Sequence, residues 1–283
     1  MSKGMVLKAF TFFLAASLLL FSGCSSSGDK EEMEAQKESE TTPVEVLYNE
    51  AANALEAKQY ETATQKFEEV ERQHPYSKWA TKSQLMSAYS SYQDDRYDEA
   101  ILALDRFIEL HPGNEDIDYA YYLKALCYYE QISDVARDQG VTQHALEALN
   151  TLILRFPDSE YSRDAQLKKD LTLDHLAGKE MEIGRYYLNR GQVNAAINRF
   201  RTVVKDYQTT THIPEALHRL VEAYLMLGLK TEATRIAAVL GYNYPGSEWY
   251  QDSYKILDAE SRRQILDDRS FVDKTVDSLF KPD

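Results

Sequence analysis

Apolar residues recur along most of this chain three or four positions apart, which is the spacing of one face of an α-helix. Ala63 is followed by Phe67 and Val70, and Ala100 is followed by Leu104. Glycine and proline, which interrupt helices, number 11 and 7 among 283 residues. The pattern predicts an all-α protein, and the apolar residues, 43% of the chain, suffice for a packed core.

The helical pattern recurs as a repeat in which an alanine is followed, 12 residues later, by the proline of a corner. One copy has Gln208 in place of that proline. The paired positions are Ala63 and Pro75, Ala100 and Pro112, Ala145 and Pro157, Ala196 and Gln208, and Ala233 and Pro245. The first two alanines are 37 residues apart, as are the last two, but the intervening distances are 45 and 51. We therefore expect five helix-turn-helix units, with insertions in the third and fourth.

Each repeated residue has a packing reason. A small alanine lets the second helix of a unit approach the first, a large residue such as Phe67 or Phe200 fills the next turn, and proline ends the helix. A single unit cannot bury its own apolar face, so the units should stack into a solenoid. The pattern resembles the tetratricopeptide repeat (TPR). It predicts a right-handed TPR-like α-solenoid, closed by a C-terminal capping helix with Tyr250, Tyr254 and Leu257.

The N-terminus has the layout of a secretory signal peptide. Lys3 and Lys8 give it positive charge, residues 6–21 are mostly apolar, and Phe21-Ser22-Gly23-Cys24 resembles the lipobox of bacterial lipoproteins. Residues 1–23 should therefore be removed, and Cys24 should carry an N-acyl diacylglycerol lipid. A retained membrane helix is the alternative, but the apolar run is shorter than the roughly 18 residues that such a span needs.

Residues 24–43 are polar and should form a flexible tether between the lipid and the folded part. The formal charge of −14 becomes −14 − 2 = −16 when Lys3 and Lys8 are removed, so nucleic acid is not an expected partner. Lipidation of Cys24 leaves Cys127 without a disulfide partner in the chain. Cys127 should be a small buried residue and not a reactive thiol.

No group of residues has the spacing of a catalytic or metal site. The sequence has no histidine pair of the His-x-x-x-His type, no Gly-rich phosphate loop and no Gly-x-Ser-x-Gly motif. A helical solenoid that cleaves cell-wall glycan is one alternative, but it would need two paired carboxylates, and no motif singles out such a pair. We therefore expect a binding protein that is not an enzyme and that has no metal or other cofactor besides its lipid.

Tyrosine is the residue type that most suggests a binding site, with 20 copies in the chain. In a TPR unit the first helix lines the concave groove, and the repeat register places these tyrosines there: Tyr48, Tyr89, Tyr92, Tyr122 and Tyr129. Tyrosine offers a large contact area and a hydroxyl for a peptide backbone. We interpret the set as a groove for a peptide with aromatic or apolar anchors. The alternative for each residue is packing between helices.

Several stretches resemble, in the same order, the BamD (ComL) family of lipoproteins from the machinery that assembles outer-membrane β-barrels. They are Asp105–Pro112, Asp118–Leu126, Arg155–Tyr161 and Tyr186–Gly191, and they accompany the lipobox, the acidic tether and the five units. The chain departs from the family pattern at Gln208 and in a short insertion after Glu130. The serine that follows Cys24 is similar to the signal that sorts such lipoproteins to the outer membrane.

The resemblance implies a non-catalytic subunit on the periplasmic face of the outer membrane, held there by its lipid anchor. Its expected partners are the POTRA domains of a BamA-like barrel protein, other lipoproteins of the machinery, and unfolded outer-membrane proteins with an aromatic C-terminal strand. Residues 44–162 would hold the unfolded substrate and residues 163–262 the BamA-like protein. Residues 263–283 form an acidic amphipathic tail that would dock on a partner or fray.

The resemblance also points to one residue of the fourth unit. Arg199 matches an Asn-Arg position of the family and would pair with an acidic residue of a POTRA domain. The alternative is a local ion pair on its own helix. For the whole chain, the alternative function is a periplasmic TPR adaptor for proteases or envelope-remodelling enzymes, without a barrel partner.

Overall fold

The computed structural model of the chain describes residues 42–267, and all regular structure within this range is helical. The predicted signal peptide, Cys24, the tether up to residue 41 and the tail after residue 267 lie outside it. The helices are α1 (Val44–Glu56), α2 (Tyr60–Gln73), α3 (Lys78–Gln93), α4 (Tyr97–Leu110), α5 (Ile117–Glu130), α6 (Gly140–Arg155), α7 (Ser162–Asn189), α8 (Val193–Asp206), α9 (Ile213–Met226), α10 (Lys230–Asn243), α11 (Glu248–Ile256) and α12 (Ala259–Asp267). No helix within the described range is both long and apolar enough to cross a membrane.

The first ten helices form five consecutive pairs, and each helix packs against its neighbours in the chain. This arrangement confirms the predicted all-α, TPR-like solenoid of five helix-turn-helix units. Both expected insertions are present. In the third unit, residues 131–139 form a non-helical connection between α5 and α6. In the fourth, α7 has 28 residues, whereas α9, the first helix of the fifth unit, has 14.

The repeated alanines lie in the helix contacts for which the sequence pattern predicted them. The exposed fraction of the side chain is 0% at all of them: Ala63, Ala100, Ala145, Ala196 and Ala233. Phe67 and Phe200, each four residues after such an alanine, are also fully buried. Since burial of a phenylalanine contributes about 1.5–3 kcal/mol, the first and fourth units gain packing energy at the same repeat position.

The corner sequence also determines where the next helix begins. Ser77 and Ser247 each come two residues after a corner proline, and each caps the helix that follows. Ser77 Oγ accepts a hydrogen bond from the Ala80 N–H at 3.0 Å, and Ser247 Oγ accepts one from the Trp249 N–H at 3.2 Å. Each cap satisfies a backbone donor that has no partner within the first helical turn.

The turn inside four of the units needs one residue in the left-handed region of the backbone. This residue comes two positions before the second helix, with φ of 69° at Gly191 and 76° at Gly228. The first two units place Lys58 and Asp95 there, with φ of 59° and 58°. Glycine adopts this conformation without steric cost, whereas a residue with a Cβ atom does not. The units therefore share one turn geometry, although two of the turns lack the residue that favours it.

The length of α7 lets it take part in two successive cores. Near its start, Ala165 packs in one buried cluster with Leu149 and Leu152 of α6. Further along, Met181 belongs to the same buried cluster as Phe200 of α8. The predicted boundary between residues 162 and 163 falls after the first residue of this helix, so α7 continues from one half of the solenoid into the other.

The last two helices of the described range cover the fifth unit, as predicted for a cap. α11 packs on α9 and α10, and the Tyr250 ring lies directly against Gly241. α12 packs on α10, and Ile265 contacts the core of the last two units. The predicted tail starts at residue 263, inside α12, and its residues after 267 lie outside the described range.

Candidate functional site

The first helices of the second and third units bring four tyrosines together. Tyr89 and Tyr92 lie three residues apart on α3, and Tyr119 and Tyr122 lie three residues apart on α5, so each pair shares a helix face. Tyr161, in the corner before α7, joins them. These five residues are called the tyrosine cluster below, and their side chains are all partly buried.

Ring contacts connect the members of the tyrosine cluster in two groups, Tyr161 with Tyr119 and Tyr122, and Tyr89 with Tyr92. The Tyr161 ring stacks on the Tyr122 ring, with centroids 5.0 Å apart and an interplanar angle of 19°, and lies tilted against Tyr119 at 5.3 Å. The Tyr89 and Tyr92 rings are 6.5 Å apart. Each such pair contributes about 0.5–1.5 kcal/mol beyond the area that it buries. The rings therefore hold one another in place and present an aromatic surface for contact.

One side of the cluster has a charged pair from the first two turns of α7. Asp164 Oδ2 accepts hydrogen bonds from the Tyr122 hydroxyl at 2.6 Å and from Lys168 Nζ at 2.7 Å. Lys168 Nζ also lies 5.6 Å from the centre of the Tyr129 ring, in a cation–π contact. Two of the predicted groove tyrosines are thus linked through an aspartate and a lysine that the sequence did not single out.

The hydroxyls of Tyr92, Tyr119 and Tyr122 stay neutral near physiological pH. Burial raises the pKa of Tyr119 and of Tyr122, and at Tyr122 the hydrogen bond to Asp164 raises the pKa further. Burial also raises the pKa of Tyr92, together with the negative charge of Glu130. Because these hydroxyls keep their protons, the cluster is suited to stacking and hydrogen bonding.

Cys127 of α5 is completely buried in the core of the second and third units, as predicted. Burial raises the pKa of its thiol to about 12, which makes it an unreactive core residue. Within residues 42–267, no three or more His, Cys, Asp or Glu side chains are grouped so that they could hold a metal ion.

Tyr48 does not lie in a groove, and this placement corrects the interpretation from the sequence. Its side chain is 8% exposed and contacts Phe67 edge-on at 5.5 Å and Trp79 at 4.6 Å, both between ring centroids. The ring therefore belongs to the core between α1, α2 and the start of α3. The repeat register identifies the face of α1 that Tyr48 occupies, but it does not show that Trp79 covers that face.

Tyr161 was not among the site residues predicted from the sequence, although its position in the repeat indicates a ring contact. It stands four residues after a corner proline, as do Trp79 and Trp249. In each case the aromatic ring contacts a ring of the preceding first helix. Trp79 meets Tyr48, and Trp249 meets the imidazole of His218 with ring centroids 5.3 Å apart. An aromatic residue at this corner position therefore indicates a ring contact between successive units.

Arg199 of α8 is paired within the chain. Its guanidinium donates to both carboxylate oxygens of Glu180 on α7, at 3.1 and 3.2 Å. This pair joins two helices and is not the local pair on one helix that the sequence left open. The Arg199 side chain is nevertheless 42% exposed, and it lines a surface depression with Tyr187 and Asn198. Its recognition by a POTRA domain stays a prediction.

The chain matches a family of outer membrane lipoproteins, whose model YfiO covers residues 40–240. It is 53% identical over 228 residues to the outer membrane protein assembly factor BamD of Caulobacter vibrioides, which covers 81% of this chain and 75% of that one. It is 47% identical to the BamD of Rickettsia prowazekii, over 84% of this chain and 92% of the other. Among solved structures, the TPR domain of P58(IPK) matches 90% of this chain and 69% of its own, at 15% identity and a TM-score of 0.41.

Proposed function

Because the chain belongs to the YfiO family of outer membrane lipoproteins, and its relatives are BamD assembly factors, we propose that it is a subunit of the outer-membrane β-barrel assembly machinery. The family match and the five helical units cover nearly the same residues. A TPR-like solenoid presents an extended surface for other proteins. We expect the chain to act by holding its partners in position and not by catalysis.

The lipid on Cys24 would hold the chain at the periplasmic face of the outer membrane. If the roughly 19 residues between Cys24 and the first helix are coil, as the sequence predicts, their root-mean-square reach would be about 25 Å, which would keep the solenoid close to the membrane surface. The family description as outer membrane lipoproteins supports this location. The folded units could then meet membrane-bound partners, including the other lipoproteins of the machinery.

The tyrosine cluster is the observation that carries the substrate side of the proposal. It combines partly exposed rings, neutral hydroxyls and the Asp164–Lys168 pair on neighbouring first helices. Aromatic rings bind apolar and aromatic anchors of a peptide at low cost in side-chain entropy, and hydroxyls bind its backbone. We propose that units two and three bind unfolded outer-membrane proteins here, through an aromatic C-terminal strand.

The other side of the proposal concerns the fourth unit. Arg199 uses one nitrogen to bind Glu180, and its exposed guanidinium keeps further N–H donors for a partner's carboxylate. We propose that this surface binds a POTRA domain of a BamA-like barrel protein. Substrate and barrel protein would then occupy different units of one solenoid.

Affinity purification of the tagged full-length lipoprotein from mild-detergent extracts of its own membranes tests this function. We expect mass spectrometry to find a stoichiometric barrel protein with POTRA domains, together with other lipoproteins. Recovery of proteases or wall-remodelling enzymes without such a barrel protein would contradict the proposal and favour a general periplasmic adaptor.

A charge exchange separates a recognition role of Arg199 from a structural one. Arg199→Glu breaks the pair with Glu180, and the double variant Glu180→Arg/Arg199→Glu restores an ion pair with its charges exchanged. If Arg199 binds an acidic partner residue, both variants should lose the barrel protein in the same purification. Recovery of the barrel protein by the double variant would show that the pair is structural.

A control is the pair of Lys66 and Glu50, which also joins the two helices of one unit, at 2.6 Å. The same exchange of charges at Lys66 and Glu50 should leave the barrel protein bound.

A further inference from the structure

The hydroxyl of Tyr122 donates its only proton in a hydrogen bond to the carboxylate of Asp164. Asp164 is ionised near neutral pH, because the hydrogen bonds from Lys168 and Tyr122 lower its pKa. An ionised carboxylate can only accept hydrogen bonds, so the proton of the 2.6 Å contact belongs to Tyr122. The hydroxyl has one proton and two lone pairs, and after this bond it can only accept.

Two neighbouring residues keep the Tyr122 hydroxyl bonded to Asp164. The stacked Tyr161 ring fixes the plane of the Tyr122 ring, and Lys168 holds the carboxylate by bonding the same oxygen that Tyr122 uses. To donate to a ligand, Tyr122 would have to give up a hydrogen bond to a charged group, which is stronger than one to a neutral acceptor. The free lone pairs of the Tyr122 hydroxyl therefore favour a ligand that donates a hydrogen bond.

From this geometry we infer that Tyr122 accepts a hydrogen bond from a backbone N–H of an extended peptide segment. The tyrosine cluster would then select segments whose backbone N–H groups have no hydrogen-bond partner of their own. The inference rests on the proposed function and specifies the chemistry of its substrate. Every residue except proline has one backbone N–H, whereas side-chain donors depend on sequence. A helix or a completed sheet uses its N–H groups internally, and an unfolded strand does not.

The nearby charges do not oppose this ligand. Asp164, whose side chain is 44% exposed beside the hydroxyl, is paired with Lys168, so the two residues together carry no net charge. An N–H group would meet the free lone pairs of Tyr122, whereas a carbonyl or carboxylate oxygen would find no donor on that hydroxyl. The rings of the tyrosine cluster would supply contact area for the flanking side chains, and the acceptor would set the position of the backbone.

Backbone N-methylation tests the inference because it replaces one N–H by N–CH3 and leaves the side chains unchanged. The probe is a ten-residue peptide from the C-terminal strand of an outer-membrane barrel protein, N-methylated at one position at a time. Its affinity is measured for detergent-solubilised full-length lipoprotein and for Tyr122→Phe. At one position, N-methylation should weaken binding to the unmodified protein about tenfold and binding to Tyr122→Phe less than about twofold.

Comparing the two proteins at each position cancels the steric effect of the added methyl group, which both experience. Tyr129→Phe is the control, because it removes a nearby hydroxyl that Asp164 does not hold; it should keep the tenfold loss at the same position. Equal losses for the unmodified protein and Tyr122→Phe at every position would overturn the inference. If the unmethylated peptide does not bind the unmodified protein, the proposed substrate role itself fails, which is a distinguishable result.

Discussion

Gly184 of α7 lies against the ring of Phe200 of α8, so closely that a Cβ atom at position 184 would overlap with the ring edge. Phe200 is the large residue that follows the repeated Ala196, and both are fully buried. The two helices of the fourth unit therefore approach through a glycine on one side and an alanine on the other. The same arrangement recurs at the cap, where Gly241 lies against Tyr250.

Gly184→Ala should lower the free energy of unfolding by about 1–3 kcal/mol, because the added methyl group must displace a packed ring. Helix propensity alone predicts the opposite sign, since alanine is favoured over glycine by about 1 kcal/mol within a helix. The control is Gly113→Ala, in a corner where no atom lies within 4 Å of the added Cβ. Urea unfolding of Gly184→Ala decides between packing and propensity, and Gly113→Ala shows the effect of an added methyl group that meets no neighbour. A more stable Gly184→Ala protein would contradict the contact.

Tyr48→Ala should destabilise the first unit by about 3–5 kcal/mol, because it opens a cavity between α1, α2 and α3. Tyr48→Phe keeps the ring contacts with Phe67 and Trp79 and should cost less than about 1 kcal/mol. Thermal unfolding followed by circular dichroism measures both changes. If Tyr48→Ala is as stable as the unmodified protein but binds peptide more weakly, Tyr48 would be a binding residue and not a core residue.

Lys58→Gly should stabilise the protein by about 1 kcal/mol, because Lys58 has a φ of 59° that glycine adopts without steric cost. Gly191→Ala, at the corresponding turn of the fourth unit, should destabilise by a similar amount, since its φ is 69° and it has open space for a methyl group. If chemical denaturation shows that Lys58→Gly is more stable and Gly191→Ala less stable than the unmodified protein, the common turn geometry is supported. A destabilised Lys58→Gly protein would contradict it.

A charged network joins α9 to the cap. His218 Nδ1 lies 2.8 Å from Ser253 Oγ of α11, and its ring contacts Trp249. Glu222 accepts a hydrogen bond from Arg219 at 2.7 Å and lies 3.5 Å from His218 Nε2. Hydrogen bonding to His218 and to Arg219, against the effect of burial, lowers the pKa of Glu222 from 4.5 to about 2.

Glu222 should therefore stabilise the folded protein at neutral pH. A carboxyl whose pKa is lower in the folded state than in the unfolded state stabilises fully above its unfolded pKa, and loses this effect as pH falls through its folded pKa. Glu222→Gln should cost about 1–2 kcal/mol at pH 7, and the difference from the unmodified protein should shrink between about pH 4.5 and pH 2.

Chemical denaturation at several pH values measures the difference between the two proteins. Glu147→Gln is the control, because the Glu147 side chain is 78% exposed and should contribute little at any pH. If the difference in unfolding free energy between Glu222→Gln and the unmodified protein does not change with pH, the network stabilises the fold without the charge of Glu222.

The sequence determined the architecture of this protein because the repeat is encoded locally. The spacing from Ala63 to Pro75 recurs in every unit, with Gln208 in place of proline in the fourth. Its residues act within one helix pair: alanine in the contact, an apolar residue such as Phe67 in the core and proline at the corner. Even the two insertions could be located, since they lengthen the distance between repeated alanines. Periodicity of this kind needs no information about distant contacts.

The tertiary structure decided which tyrosines are core and which form a surface. Tyr48 and Tyr122 both lie on first helices and both contact an aromatic ring from the next corner, yet Tyr48 is buried and Tyr122 stays partly exposed beside Asp164. Asp164 is 42 residues from Tyr122 in the chain, and Glu180 is 19 residues from Arg199. Such partners are set by how neighbouring helices pack, between units for Tyr122 and within one unit for Arg199, because each helix face is completed by side chains from a neighbouring helix that local spacing does not specify.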